Sequence, residues 1–340
     1  MMKHKILLVT WIFLLLSVLA ACTTVPATPT ETAVTPLPAT ATETAAMPVP
    51  SDTPTVTARL LLVSAGAPEE AATAAAIASL ADQAGLTVTP LTALTAADLD
   101  AGVRIVVWLR PDETIQALAA SAPEVAFLGI TSRALEPAAN LSVIRLRSDY
   151  QTFIGGMITT LIAPDWRGGG LLPTDGPLGD TASNALINGG RYYCGRCAPY
   201  YAPVVLFPVI STLPSTSDPA AWQAAAAALH EQNRLEVIYL APEAVSFELA
   251  TALATQFVLV GGAAPANGVP ANWAATVTWD VPAALQSIWE DLVANTMGQA
   301  SDAPLILSDV NPELLSPGRQ ALLQEAMDLL AAGQLGALTP

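Results

Sequence analysis

The sequence predicts an α/β protein built as two lobes, each a mostly parallel sheet flanked by helices. Three observations carry this. Short continuous apolar runs, such as Leu60-Leu61-Leu62-Val63 and Ile105-Val106-Val107-Trp108, are the pattern of strands buried on both faces. Between such runs lie segments of helical length, several opened by a capping or acidic residue. The alternation runs through residues 58–148 and then repeats, which favours two successive units over one very large sheet.

The elements follow in order. Residues 59–63 form the first strand. Residues 68–84 read as a helix, with Glu69 and Glu70 in the first turn and Gly85 just past the end. Strands are expected at 86–88, 103–108, 125–130 and 142–146, and a helix at 111–120. Only residues 91–102 separate the second and third strands, so the helix there is shortened. In the second unit, helices are expected at 150–162, 178–190, 219–232 and 243–255. The last but one is opened by Ser217-Asp218. Strands are expected at 169–172, 204–209, 235–240 and 256–260. A loop rich in Gly, Pro and Asn spans 261–272. A further strand at 275–278, a helix at 282–297, an extended piece at 305–307 and a closing helix at 317–332 complete the chain.

The N-terminus has a different character. Lys3 and Lys5 precede an apolar stretch that ends in Leu19-Ala20-Ala21-Cys22. This is the layout of a bacterial lipoprotein signal, in which the Cys22 thiol takes a lipid. Residues 1–22 are thus read as a signal with a lipobox, which places the mature chain outside the cytoplasm on the cell membrane. Residues 23–57 are nearly all Thr, Pro, Ala, Val, Glu and Ser. They carry no apolar period and read as a disordered tether. The remaining chain divides into lobe 1, residues 58–148 and 273–300, and lobe 2, residues 149–272 and 301–340.

Composition narrows the partners. Of the 340 residues, 52% are hydrophobic and 12% charged. Loss of Lys3 and Lys5 with the signal leaves 11 basic against 29 acidic residues, a net charge of −18 with no lysine. Such a surface does not neutralise phosphates, so nucleic acid is not an expected partner. It also does not attract anionic lipid, which leaves attachment to the lipid on Cys22. The only histidines are His4 and His230, so neither a His-based catalytic site nor a closed zinc site is expected. No cofactor is expected, and the chain is read as a monomer without enzymatic activity.

The stretch Arg147-Ser148-Asp149-Tyr150-Gln151-Thr152-Phe153-Ile154-Gly155-Gly156 follows the fifth strand and opens a helix with paired glycines. Thr276-Val277-Thr278-Trp279-Asp280-Val281-Pro282 leads from a strand into another helix, and residues 304–336 end with Gly333 and Gly336. On these segments, the lipobox and the order of elements over about 58–340, the chain resembles a type I periplasmic binding protein. The family it is most similar to is the basic membrane protein group of substrate-binding lipoproteins. The resemblance implies a two-lobed fold with the chain crossing between lobes at these segments. It also implies capture of a nucleoside- or sugar-like molecule for an ABC permease. Two places differ from nucleoside-binding members. Ser64-Ala65-Gly66-Ala67-Pro68 has no carboxylate, and Gly261-Gly262-Ala263-Ala264 lacks an aspartate.

Ligands of open α/β sheets bind beyond the carboxyl ends of the strands. In lobe 1 these ends supply Ser64, Gly66, Trp108, Arg110, Thr131 and Ser132. In lobe 2 they supply Thr174, Asp175, Phe207, Glu243 and the Gly261 loop. Trp279 and Asp280 stand at the return crossing. Trp108 and Trp279 offer flat faces for stacking, and Asp175 and Asp280 offer acceptors. Asp280 before Pro282 also reads as a helix cap. Cys194-Gly195-Arg196-Cys197 is the remaining cysteine pair. In an oxidising compartment it is expected to form a disulfide across a short loop. Three other readings stay open: a lipoprotein that senses a ligand for a membrane signalling partner, a thiol redox protein using Cys194 and Cys197, and an envelope protein that has lost its ligand.

Overall fold

The first sheet joins β1 (Arg59–Val63), β2 (Thr87–Leu91), β3 (Val103–Leu109), β4 (Ala126–Thr131), β5 (Leu141–Arg145) and β11 (Ala300–Asp302). All its pairs are parallel, in the order β11-β5-β4-β3-β1-β2. The second joins β6 (Gly168–Pro173), β7 (Val209–Leu213), β8 (Val237–Leu240), β9 (Val258–Gly261), β10 (Trp273–Trp279) and β12 (Leu305–Ser308). Its order is β12-β10-β9-β8-β6-β7, with only β12 antiparallel. This computed structural model describes residues 58–67, 70–296 and 298–338. The segments expected to be a signal and a tether, with Cys22, lie outside the described residues. Both sheets belong to one compact unit, Pro54–Pro340.

Each sheet is buried on both faces, which explains its continuous apolar runs. On one face of the first sheet, α1 (Ala71–Gln83) and α7 (Val281–Val293) pack Ile77, Ala81, Leu285, Ile288 and Leu292 over Leu60, Leu62, Ile105 and Val107. On the other, α2 (Thr114–Ser121) places Ile115 and Ala119 against Leu61, Val63, Val106 and Phe127. The second sheet carries α3 (Ser148–Ile162), α4 (Ala182–Cys194) and α8 (Pro317–Ala331) on one face. The other face carries α5 (Pro219–Asn233) and α6 (Phe247–Leu253). Trp222 of α5 and Trp273 of β10 are almost fully buried, each worth roughly 1.5–3 kcal/mol of transfer free energy.

Helices α3 and α4 approach through Gly156 and Gly189. A Cβ on Gly156 would collide with the Leu186 carbonyl oxygen, and one on Gly189 with that of Phe153. The glycines that the sequence sets inside a helix are therefore a packing requirement. Caps agree with the sequence: Asp218 accepts from Ala221 N at 2.7 Å and Asp280 from Ala283 N at 3.0 Å. Among the described residues, no helix is long and apolar enough to cross a membrane.

The chain crosses between lobes three times: at 146–147 between β5 and α3, at Asp280 between β10 and α7, and at 303–304 between β11 and β12. This corrects the expected lobe boundaries. Residues 273–279 are β10, hydrogen-bonded to β9 and β12 in the second sheet rather than the first. Residues 300–302 form a first-sheet strand that the sequence pattern missed. An apolar run shows that a strand is buried, not which sheet takes it. The strand expected at 204–209 is also displaced to Val209–Leu213. Pro203 and Pro208 have no N–H to give a ladder, and residues 204–208 remain loop. Between β2 and β3, where a shortened helix was expected, the connection holds only a single turn at Ala96–Asp98.

Candidate ligand-binding cleft

The carboxyl ends of the central strands, where open α/β sheets take their ligands, carry the candidate residues of both lobes. On the second lobe, Ser148, Gln151 and Thr152 come from the first turns of α3, just past the first crossing. Leu172 and Pro173 end β6, and Ala241, Pro242 and Glu243 follow β8. With Gly176, Pro177, Leu178, Gly179 and Ala182, these residues line a cavity of about 20 Å³. Space of that size holds a water-sized group.

Gln151 is 1% exposed. Its Nε2 donates to the carbonyls of Gly262 and Val277, both at 2.7 Å, while its Oε1 is buried without a partner. The amide thus ties α3 to the ends of β9 and β10. Glu243 is exposed by surface area, yet protein packed behind it removes part of the hydration of its carboxyl. That burial pushes its carboxyl above the ordinary glutamate range, nearby Asp175 pushes the same way, and Arg110 of the first lobe opposes both.

On the first lobe, Ser64 follows β1 and donates through Oγ to Glu70 Oε2 at 2.5 Å, while Gly66 N donates to Ser64 Oγ at 2.9 Å. Arg110, just past β3, reaches Glu70 Oε1 with Nε at 3.4 Å. Glu70 is 6% exposed. The apparent lack of a carboxylate after β1 is therefore made good from the start of α1, six residues after Ser64. Between the lobes, Arg147 forms a two-pronged pair with Asp149 at 3.0 and 2.8 Å and reaches Asp302 at 3.1 Å. Arg145 reaches Asp302 at 2.7 Å, and the Arg147 guanidinium lies 3.7 Å over the Tyr150 ring. The first and third crossings are thereby cross-linked by charge.

The expected site residues separate on this geometry. Ser64, Gly66 and Glu243 stand at strand ends on the two walls, and Glu243 lines the cavity. Thr131 is buried at the end of β4, its Oγ1 accepting from Arg133 N at 2.9 Å, and Ser132 beside it is half-buried. Asp175 is held by the Ser215 N–H at 2.7 Å and hydroxyl at 2.9 Å, which keep its carboxyl below the usual range. Its oxygens therefore fasten two loops together.

Trp108 and Phe207 are corrections. Trp108 packs with Leu61, Val63 and Ile115, and Phe207 is 1% exposed in the core beneath Trp222 and Leu229. Both are apolar side chains that the lobe interiors take, so neither offers a stacking face. Trp279 is half-buried against the first lobe's core, with a buried Nε1 that has no partner, and Asp280 is the cap of α7. The residues that sequence reasoning missed are Glu70, Ser148, Gln151 and Thr152. The sequence carried one signal for Gln151: it precedes the uncharged, largely apolar run Thr152 to Ile162 in the same helix.

Cys194 ends α4 and is joined to Cys197 by a disulfide, with Cα atoms 5.1 Å apart. Around it Tyr192, Tyr193, Tyr200 and Tyr201 are exposed. Among the described residues, no group of three or more His, Cys, Asp or Glu side chains could hold a metal ion.

No protein-family model matches the chain, and no curated protein matches it. Solved structures do. An ABC transporter system solute-binding protein from Conexibacter woesei DSM 14684 superposes with a TM-score of 0.59 at 16% identity, over 83% of this chain and 98% of that one. The fold is that of type I periplasmic binding proteins. A transcriptional activator of the comK gene from Bacillus halodurans matches at 0.60 and 12% identity, over 82% and 98% of the two chains. An ABC transporter system solute-binding protein from Aeropyrum pernix K1 matches at 0.56 and 15%, over 82% and 92%. At these identities the likeness is one of fold.

Proposed function

We propose that this chain is an extracytoplasmic, lipid-anchored solute-binding protein that captures a small molecule between its lobes and delivers it to an ABC permease. One observation carries the reading. Three crossings lead between two lobes that carry polar groups at or beside their central strand ends, Ser64, Glu70 and Arg110 on the first and Ser148, Gln151 and Glu243 on the second. Such an arrangement binds by closure about the crossings and needs no covalent step. The lipobox at Cys22 and the tether behind it suit a receptor kept beside a membrane partner. The sequence segments around Arg147 and Trp279 support a place near the basic membrane protein group. Calorimetric titration of the folded protein with a broad panel of nucleosides, sugars and amino compounds tests the reading. Saturable binding by a panel member supports it; a well-folded protein that binds none contradicts it.

A second reading is favoured by the likeness to a protein named as a transcriptional activator. Here the liganded form acts on a membrane signalling partner instead of a permease. Deleting the chain's gene separates the two. Loss of solute uptake supports transport, and unchanged uptake with an altered response to the solute supports sensing.

A further inference from the structure

The cavity on the second lobe's wall is supplied with acceptors. Gln151 spends both its N–H groups on the Gly262 and Val277 carbonyls, and its buried Oε1 has no partner. Glu243 and Ser148 line the same cavity, and its lining holds no Lys, Arg or His. Asp175 adds negative charge near Glu243, while Arg110 faces it from the other lobe with Glu70 as its own ion-pair partner. The space, about 20 Å³, is that of a single water-sized group.

We propose that this cavity receives a protonated amine of the ligand, so that the solute is a small organic ammonium compound. Its N–H groups donate to Gln151 Oε1, the Glu243 carboxylate and Ser148 Oγ. The inference rests on the cleft being the ligand site and narrows what enters it. An ammonium is close to water in size and brings three donors, whereas a hydroxyl brings one and leaves Gln151 or Glu243 unsatisfied. A carboxylate or phosphate is repelled by Glu243 and Asp175. A space of about 20 Å³ takes the ammonium alone, so the carbon body of the ligand extends out of the cavity mouth. An ammonium also restores the charged form of Glu243 that burial disfavours.

Matched pairs of compounds test this by calorimetry: glucosamine against glucose, 5′-amino-5′-deoxyadenosine against adenosine, and propylamine against propanol. In the pair whose carbon body fits, the amine is expected to bind at least about tenfold more tightly than the alcohol, the ratio of a charge-assisted to a neutral hydrogen bond. In E243Q and, separately, S148A, that preference is expected to shrink while the melting curve stays cooperative. Equal or tighter binding of the alcohol overturns the inference and leaves the cleft as a ligand site. An amine preference unchanged in E243Q also overturns it. Failure of every compound, amine and alcohol alike, overturns the inference together with the reading on which it rests.

Discussion

Replacing Gln151 by leucine asks whether this side chain holds the second lobe together at the base of the cleft. The wild-type amide satisfies two buried carbonyls, Gly262 and Val277, at 2.7 Å each. Leucine is of similar bulk, so the cavity term is small. Two acceptors lose their donor, at about 1–3 kcal/mol each. Removing the unpartnered Oε1 returns about 1–3 kcal/mol. The net expectation is a loss of roughly 1–3 kcal/mol, a fall in melting temperature of about 2–5 °C for a body of this size. Q151E sharpens the test, because an ionised carboxylate cannot donate and would face two carbonyls. Its folded-state pKa must rise, so the variant is least impaired below the ordinary glutamate pKa and loses stability as pH increases through the raised value. Thermal and urea unfolding at several pH values measure both. A Q151L melting temperature equal to wild type, or a Q151E deficit independent of pH, would refute the assignment.

Other consequences follow from separate parts of the molecule. G156V drives a side chain into the Leu186 carbonyl; a loss of more than about 2 kcal/mol in urea titration is expected, and a neutral effect would mean that α3 and α4 do not meet at their glycines. Glu243 has a raised carboxyl pKa, so its penalty is absent at acid pH and grows as pH rises through that value. E243Q is therefore expected to melt higher than wild type at neutral pH and no higher near pH 3; equal curves at both would show that the crowding is not felt. The Cys194–Cys197 bridge closes a short loop, so C194S/C197S is expected to cost about 2 kcal/mol with ligand binding unchanged; loss of binding would give the pair a role beyond the loop. D302N removes the common partner of the half-exposed Arg145 and Arg147. It is expected to cost less than about 1 kcal/mol while changing the rate of lobe closure measured by stopped-flow fluorescence.

The parts of the fold that were legible in the sequence were those governed by local rules. Leu60 to Val63 announces a strand because a parallel strand under helices must be apolar at every position, and Asp218 announces α5 because a cap must precede the first free N–H groups. The lobe of β10 was not legible, since pairing with β9 or with β5 demands the same apolar residues. β11 was missed because Ala300-Ser301-Asp302 has no apolar pattern and owes its place to the edge of β5. The site divided in the same way. Glu243 was legible as a strand-end residue, and it lines the cavity beside β8. Trp108 was misplaced because strand-end position does not say which face a side chain takes. Glu70 escaped because the local chain after β1 offers no carboxylate, and only the fold-back of α1 brings one to Ser64.

Amide hydrogen exchange with and without the compound that binds best in the calorimetric panel tests the central claim most directly. Binding between the lobes protects both walls at once: the segments around Ser64 and Arg110 in the first lobe, and those around Gln151, Gly176 and Glu243 in the second. Protection confined to one lobe, or centred on the exposed tyrosines beside Cys194 and Cys197, would contradict capture in the cleft.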